Sequence, residues 1–292
     1  MKVLERWKFY ASFLLILITL ATVICCMEEV ILNQTLPYAL SEHEYKSDKF
    51  REQNISDSNL QLLKRFSADN KLEFPKVLTV TMIFHNFDLN STDISDISIK
   101  EYQENLRRVE ARGGKSYQML LDAYDTIWGD VKYFPIPVST QNEKAEVTFS
   151  DSWMHERSFG GKRGHEGTDI MAGINKRGYY PIISMSDGIV EKIGWLTQGG
   201  YRIGIRSESG AYFYYAHLYR YAKEFQEGES VKAGQIIGYM GDSGYGDEGT
   251  TGKFAVHLHA GIYIKDENGA EVSVNPYPVL KYIENKKLRY AY

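Results

Sequence analysis

Apolar residues follow three unlike patterns along this chain. The first is an unbroken run from Tyr10 to Met27, eighteen residues without a charge, preceded by Lys2, Arg6 and Lys8 and followed by Glu28 and Glu29. A helix of that length rises about 27 Å, close to the hydrocarbon thickness of a bilayer. The basic residues before it predict a cytoplasmic N-terminus, with everything after Met27 outside. The run closes on Val23, Ile24, Cys25, Cys26 and Met27, which are poor cleavage residues, and Ile24 stands where a lipoprotein signal needs a small residue. An uncleaved, single-pass anchor is therefore expected over residues 1–27, in place of a removed signal.

The second pattern has helical period and extends to about Tyr133. Glu42 to Asn59 is polar and reads as a tether. Leu60, Leu62, Leu63 and Phe66 mark a short amphipathic helix. Pro75 suits the first turn of a second, which carries Val77, Leu78, Met82, Ile83 and Phe87. A third runs from about Ser98 through Tyr102, Leu106 and Val109 and is stopped by Gly113 and Gly114. A fourth follows Ser116 as a cap, with Met119, Leu120, Tyr124 and Ile127, and ends near Gly129. His43 and His85 have no partner at metal-binding spacing and read as a solvated and a packing or surface residue. Residues 28–133 thus carry no visible chemistry and are expected to be a spacer, an inhibitory lid or a docking surface for a protein partner.

At Phe134-Pro135-Ile136-Pro137 the helical period stops and the third pattern begins. Short β-type runs such as Ala211 to His217, Ile236 to Met240 and Ala255 to Tyr263 alternate with glycine-rich turns. Many short strands separated by turns predict a mainly β domain over 134–285, leaving 286–292 as a basic, solvated tail.

Composition narrows the functional classes. A formal net charge of -4 on 292 residues gives no electrostatic reason to expect nucleic-acid binding. Both cysteines, Cys25 and Cys26, fall in the apolar run, so the remainder cannot be stapled by disulfides. Any metal there must be held by His, Asp or Glu.

Four of the seven histidines sit in the β region at readable spacing. His165 and Asp169 are four apart in Gly164-His-Glu-Gly-Thr-Asp169, and His257 and His259 are two apart in Val256-His-Leu-His-Ala260. On a strand, positions i and i+2 share a face, so both imidazoles of the second motif project into one space. His217 adds a third element. A hydrolytic zinc site needs about three N or O ligands and one open position, and two His with one Asp meet that demand. The helical HExxH arrangement does not apply to His165 and Glu166, because Gly160, Gly161, Gly164 and Gly167 crowd the segment and its fifth residue is Asp. His155 is read as structural.

Phe149-Ser-Asp-Ser-Trp153, Gly160-Gly161, His165-Glu-Gly-Thr-Asp-Ile170, Tyr215-Ala-His-Leu218, Gly234-Gln-Ile-Ile-Gly238, Gly241-Asp-Ser-Gly244, His257-Leu-His259 and Asn275-Pro-Tyr277 together resemble the M23 (lysostaphin/LytM-type) metalloendopeptidases. The likeness spans roughly Phe134 to Tyr282. It implies a small, mostly antiparallel β domain with a groove, and a zinc ion held by His165, Asp169 and His259. It also implies His217 and His257 as unliganded catalytic residues, acid/base and oxyanion donor in an order that the sequence leaves open. The implied substrate is the peptide part of peptidoglycan. Some M23-like domains are scaffolds or activators without turnover, which is the alternative role. Phe213 and Tyr215 share strand parity with His217 and are expected to line the groove with it. Met154-His-Glu-Arg157 departs from the family pattern and leaves the shape of one groove wall open.

Overall fold

The computed structural model describes residues 2–34, 36–37, 39–158 and 161–292; Gly160 of the sequence motif, and the side chains of Lys2, Arg6, Glu28 and Glu29, lie outside that set. Helix α1 (Lys2–Gln34) contains the apolar window Tyr10–Met27, with a mean hydropathy of 2.4 and none of it buried against the rest of the protein.

Helices α3 (Asp57–Asp69), α4 (Phe74–Phe84), α5 (Ile99–Arg112) and α6 (Gly114–Trp128) form the helical layer. Ser56 caps α3 by accepting the Asn59 N–H. Ser98 does the same for Glu101 in α5, leaving a Ser-x-x-Glu start signal of the kind that the sequence shows. Nearly every side chain of α4 is buried, including Val77, Leu78, Val80, Met82 and Ile83, so this helix forms the centre of the layer. The expected cap at Ser116 is not one. Helix α6 starts two residues earlier, and Ser116 is buried inside it. The chain turns there without an intervening loop, and a Cβ at Gly113 would fall 2.4 Å from the Tyr117 Cβ.

The polar stretch expected as a tether is ordered. Short helix α2 (Asp48–Glu52) is capped by Ser47, and its Phe50 is completely buried, edge-on to Tyr124 at 4.9 Å. Gln53 accepts a buried hydrogen bond of 2.9 Å from the Trp128 indole. The polar residues of this segment serve as cross-links to the β layer. Lys46 pairs with Asp266 and Glu267, and Arg51 donates to the carbonyl and hydroxyl of Ser273, both at 2.9 Å. Composition misled here because two aromatic residues, Tyr45 and Phe50, supply the burial while their neighbours stay polar.

The β layer is one ten-stranded, antiparallel sheet. Its strands are β1 (Val147–Phe149), β2 (Thr168–Ala172), β3 (Pro181–Ile183), β4 (Gly188–Leu196), β5 (Gly200–Arg206), β6 (Tyr212–Tyr221), β7 (Ser230–Val231), β8 (Ile236–Met240), β9 (His257–Lys265) and β10 (Glu271–Val274). The main path runs β7-β4-β5-β6-β9-β2-β1, with β8 joining β6 to β3 and β10 on the edge of β9. Ile203, Ile205, Phe213, Tyr215, Leu258 and Ile262 fill the core face. That core continues into the helical layer, where Tyr282 of helix α7 (Tyr277–Ile283) stacks on Phe74 at 4.5 Å and meets Trp128 edge-on.

The end of the chain is not a free basic tail. Arg289–Tyr290 pairs in parallel with Val138–Ser139, Tyr292 packs against Tyr179 and Tyr180, and Lys287 lies over the Phe134 ring. The aromatic residues among the charges hold this segment down.

Candidate metal centre and active site

Strand register places the first two site residues together. In the β2–β9 pair His259 stands directly opposite Asp169, and His259 Nδ1 lies 3.0 Å from Asp169 Oδ1. His165 arrives from the loop before β2, with its backbone N–H bonded to the His155 carbonyl and its own carbonyl accepting from Met154. Its ring Nδ1 faces the Ser152 hydroxyl and carbonyl at 3.0 and 3.2 Å, which fixes the proton on Nδ1 and turns the Nε2 lone pair inward. That Nε2 is 3.1 Å from Asp169 Oδ1 and 3.0 Å from His259 Nδ1. The loop passes so close that a Cβ at Gly167 would sit 2.3 Å from the His259 ring, so glycine is required there.

Three lone-pair donors therefore converge, with at most one proton to share among them. A tetrahedral zinc site with bonds of about 2.0–2.1 Å has ligand–ligand edges of about 3.3 Å. The observed separations of 3.0–3.1 Å are close to that, and the two-nitrogen, one-oxygen set suits zinc. Among the described residues this is the one trio of His, Cys, Asp or Glu side chains near enough to share an ion. Burial alone would raise the Asp169 carboxyl, but hydrogen bonds from His165 and His259 and the nearby imidazoles hold it well below the usual range. Burial lowers His259, partly opposed by Asp169.

His217 reaches the same space by a backbone irregularity. Between the pairs Tyr201–Leu218 and Ile203–Tyr215, β6 contains one residue more than β5. The bulge puts His217 at a φ of 62°, a left-handed conformation that side chains with a Cβ rarely adopt. It breaks the alternation of the strand. Phe213 and Tyr215 consequently do not line the groove with His217, as parity predicts; both are fully buried, and the Tyr215 hydroxyl accepts the Met185 N–H in the core. The groove side of β6 belongs instead to Tyr212 and Tyr214, joined by Tyr263 of β9.

The two remaining imidazoles lie side by side, with ring centroids 4.7 Å apart. His217 Nδ1 faces the Ser243 carbonyl and His257 Nδ1 faces the Ala255 carbonyl, each at 2.8 Å. Both rings therefore carry the proton on Nδ1 and turn the Nε2 lone pair into the groove, where His257 Nε2 lies 3.7 Å from Asp169 Oδ1. Phe254 covers them at 4.6 and 5.0 Å. Burial first, then the neighbouring His257 and His259, push His217 well below the ordinary imidazole value. The Gly241-Asp-Ser-Gly244 motif acts here, since Ser243 supplies the carbonyl that orients His217 and Asp242 locks the loop to Arg177 at 2.6 and 2.9 Å.

Arg157 is the site residue that sequence reasoning missed. It comes from a short pairing of Glu156–Arg157 with Arg163–Gly164, and its guanidinium holds Asp169 Oδ2 at 2.8 Å. The available signal was the departure at Met154 to Arg157. His155 has an exposed side chain and contributes its backbone, His43 is mostly solvated, and His85 is half-buried with its basicity lowered by burial. Glu166 lines the same groove and is paired with Arg51 at 3.3 Å.

The trio and the two further imidazoles line one groove of about 680 Å³, an arrangement of the kind that a metallopeptidase site requires. The family model for peptidase family M23 matches residues 163–276. The chain is 43% identical over 226 residues to the L-Ala–D-Glu endopeptidase of Bacillus subtilis (strain 168), an alignment covering 77% of this chain and 65% of that protein. It is 32% identical over 129 residues to the glycyl-glycine endopeptidase ALE-1 of Staphylococcus capitis, covering 40% of this chain and 32% of that one. A crystal structure from Ruminococcus gnavus, named as a candidate glycyl-glycine endopeptidase lytM, superposes with a TM-score of 0.75 at 43% identity, over 87% of this chain and 99% of that chain. This protein belongs to peptidase family M23.

Proposed function

We propose that the chain is a zinc endopeptidase of peptidoglycan that cuts the L-Ala–D-Glu bond of the stem peptide from outside the membrane. The observation carrying this reading is the intact pair of sites, three ligand atoms 3.0–3.1 Å apart beside two imidazoles with Nε2 turned into the groove. Two M23 relatives carry names that disagree on the bond. Both likenesses extend into the helical layer, and the L-Ala–D-Glu bond is preferred because the Bacillus subtilis enzyme is named for its bond outright while the other structure is named only as a candidate; the chain spans 65% of the Bacillus subtilis enzyme's length.

His165, Asp169 and His259 would hold the ion, and Arg157 and Ser152 orient two of them. Zinc bound there supplies the Lewis acidity that makes water nucleophilic near neutral pH. The tautomers of His217 and His257 leave an Nε2 on each, able to accept a proton from the attacking water or, once protonated, to donate to the developing oxyanion. Tyr212, Tyr214 and Tyr263 provide an aromatic wall for the substrate chain, and Phe254 excludes water behind the imidazoles.

Residues 1–27 would act as the anchor, 28–133 as a helical layer and 134–285 as the peptidase domain. Incubating zinc-loaded protein with purified walls and identifying new amine ends by mass spectrometry tests the reaction. New D-Glu amines are expected; glycine amines would transfer the reading to a cross-bridge, and no release would leave a scaffold. Protease added to intact protoplasts should remove the β layer if it lies outside.

A further inference from the structure

Charges along the groove are almost all spoken for. Asp169 is shared by the ligand trio and Arg157, Glu166 pairs with Arg51, and Glu271 pairs with Arg206, which also takes Glu191. Arg202 differs. It lines the groove on β5, is only half-buried, and has no carboxylate within ion-pair distance among the described residues. Its Nη1 is covered and makes no hydrogen bond. A guanidinium nitrogen removed from water without an acceptor is a standing cost in the free protein.

The surroundings keep this group close to the reaction centre. Tyr201 pairs with Leu218 and Ile203 with Tyr215, so Arg202 stands opposite the bulge that carries His217, and the Tyr214 ring lining the same groove lies 5.9 Å from His259. Glycines make the floor beneath those rings: a Cβ at Gly204 would fall 1.9 Å from the Tyr212 hydroxyl, and one at Gly199 would fall 2.2 Å from the Tyr214 hydroxyl. Both tyrosine rings therefore lie against the sheet at these glycines, as part of the groove wall beside Arg202.

We propose that Arg202 anchors a carboxylate subsite, which takes the free carboxylate of the residue beside the scissile bond in an acidic peptide. This rests on the L-Ala–D-Glu reading. A glutamyl residue joined onward through one of its carboxyls keeps the other as an anion, and the planar fork of an arginine matches that group in shape and charge. Amidation of the carboxylate would remove the partner.

The test compares two synthetic stem peptides that differ only in carrying D-Glu with its free carboxylate or as the carboxamide. The zinc-loaded full-length chain should cleave the acid with a kcat/KM about 10- to 100-fold above the amide, the range expected for one charge-assisted contact. Arg202→Gln should lose most of that factor on the acid, lose far less on the amide so that the two rates converge, and keep its zinc. Arg202→Lys should retain part of the preference. The subsite is overturned if Arg202→Gln keeps the preference, or if it slows both peptides equally with zinc intact, which is a structural effect. Should wild type cut neither peptide, the L-Ala–D-Glu reading falls by itself. Calorimetric binding of the same two peptides then decides the subsite: tighter binding of the acid, abolished in Arg202→Gln, supports it, and equal binding of both peptides overturns it.

Discussion

Arg157 holds the outer oxygen of Asp169 at 2.8 Å while the inner oxygen faces His165 and His259. The carboxylate is thereby fixed in one orientation, with a single oxygen turned to the place between His165 and His259 where the proposed ion would sit. Second contacts of this kind commonly contribute about 10- to 100-fold in metal affinity. Arg157→Ala is expected to weaken zinc binding by that order in a chelator competition, with the unfolding midpoint of the metal-free protein unchanged. Undiminished affinity would make the contact incidental.

The proposed ligand His259 and the proposed catalyst His257 can be told apart within one strand. His165→Ala, Asp169→Ala and His259→Ala should each lose zinc and activity together, since each removes one of three ligands. His257→Ala and His217→Ala should keep about one zinc per chain and lose a hundredfold or more in wall cleavage. The readouts are zinc by atomic spectroscopy and amine release. If His257→Ala loses its zinc while His259→Ala keeps it, the pair is assigned backwards.

His217 should remain neutral well into the acid range. Its folded pKa is depressed by burial below 6.5, so as pH falls from neutrality the ring stays unprotonated where an ordinary histidine would already be charged. A bound dication nearby acts in the same direction. Histidine-selective NMR should show no titration of His217 around pH 6.5, and Phe254→Ala, which admits water, should move its midpoint upward. A midpoint at or above the ordinary value would contradict the buried environment.

The docked segment before the helical layer has its own test. Phe50 is fully buried against Tyr124 and Phe87, so Phe50→Ala should cost about 3–5 kcal/mol and lower the thermal midpoint of the whole chain. Replacing exposed Asp48 in the same turn should change little. A small effect at Phe50 would restore the tether reading.

Much of this was legible in the sequence because local rules governed it. The helix start near Ser98, the Pro75 helix start and the His257–His259 alternation each depend on neighbours within four residues. The parity argument failed at His217 because a single inserted residue inverted the facing of everything beyond it, and no composition marks that bulge. Residues 44–52 and 289–292 failed for another reason. Their burial comes from isolated aromatic residues with partners more than a hundred positions away, such as Tyr45 beside Glu267 and Tyr292 on Pro137. Arg157 was visible only as an irregularity, since its partner twelve residues later is brought near by the hairpin.

The docking of α2 onto the edge of the sheet also limits where this protein can work. With Lys46 and Arg51 clamped to the loop after β9 and to β10, the groove cannot swing out on the length of chain that precedes the helical layer. Leu36 and Leu40, soon after α1, already pack against the core, and the nine positions 35–43 could extend at most about 30 Å. If α1 sits in the bilayer as proposed, the groove is held on a short leash, and the stem peptides within its reach would be those of the innermost wall, next to the membrane surface.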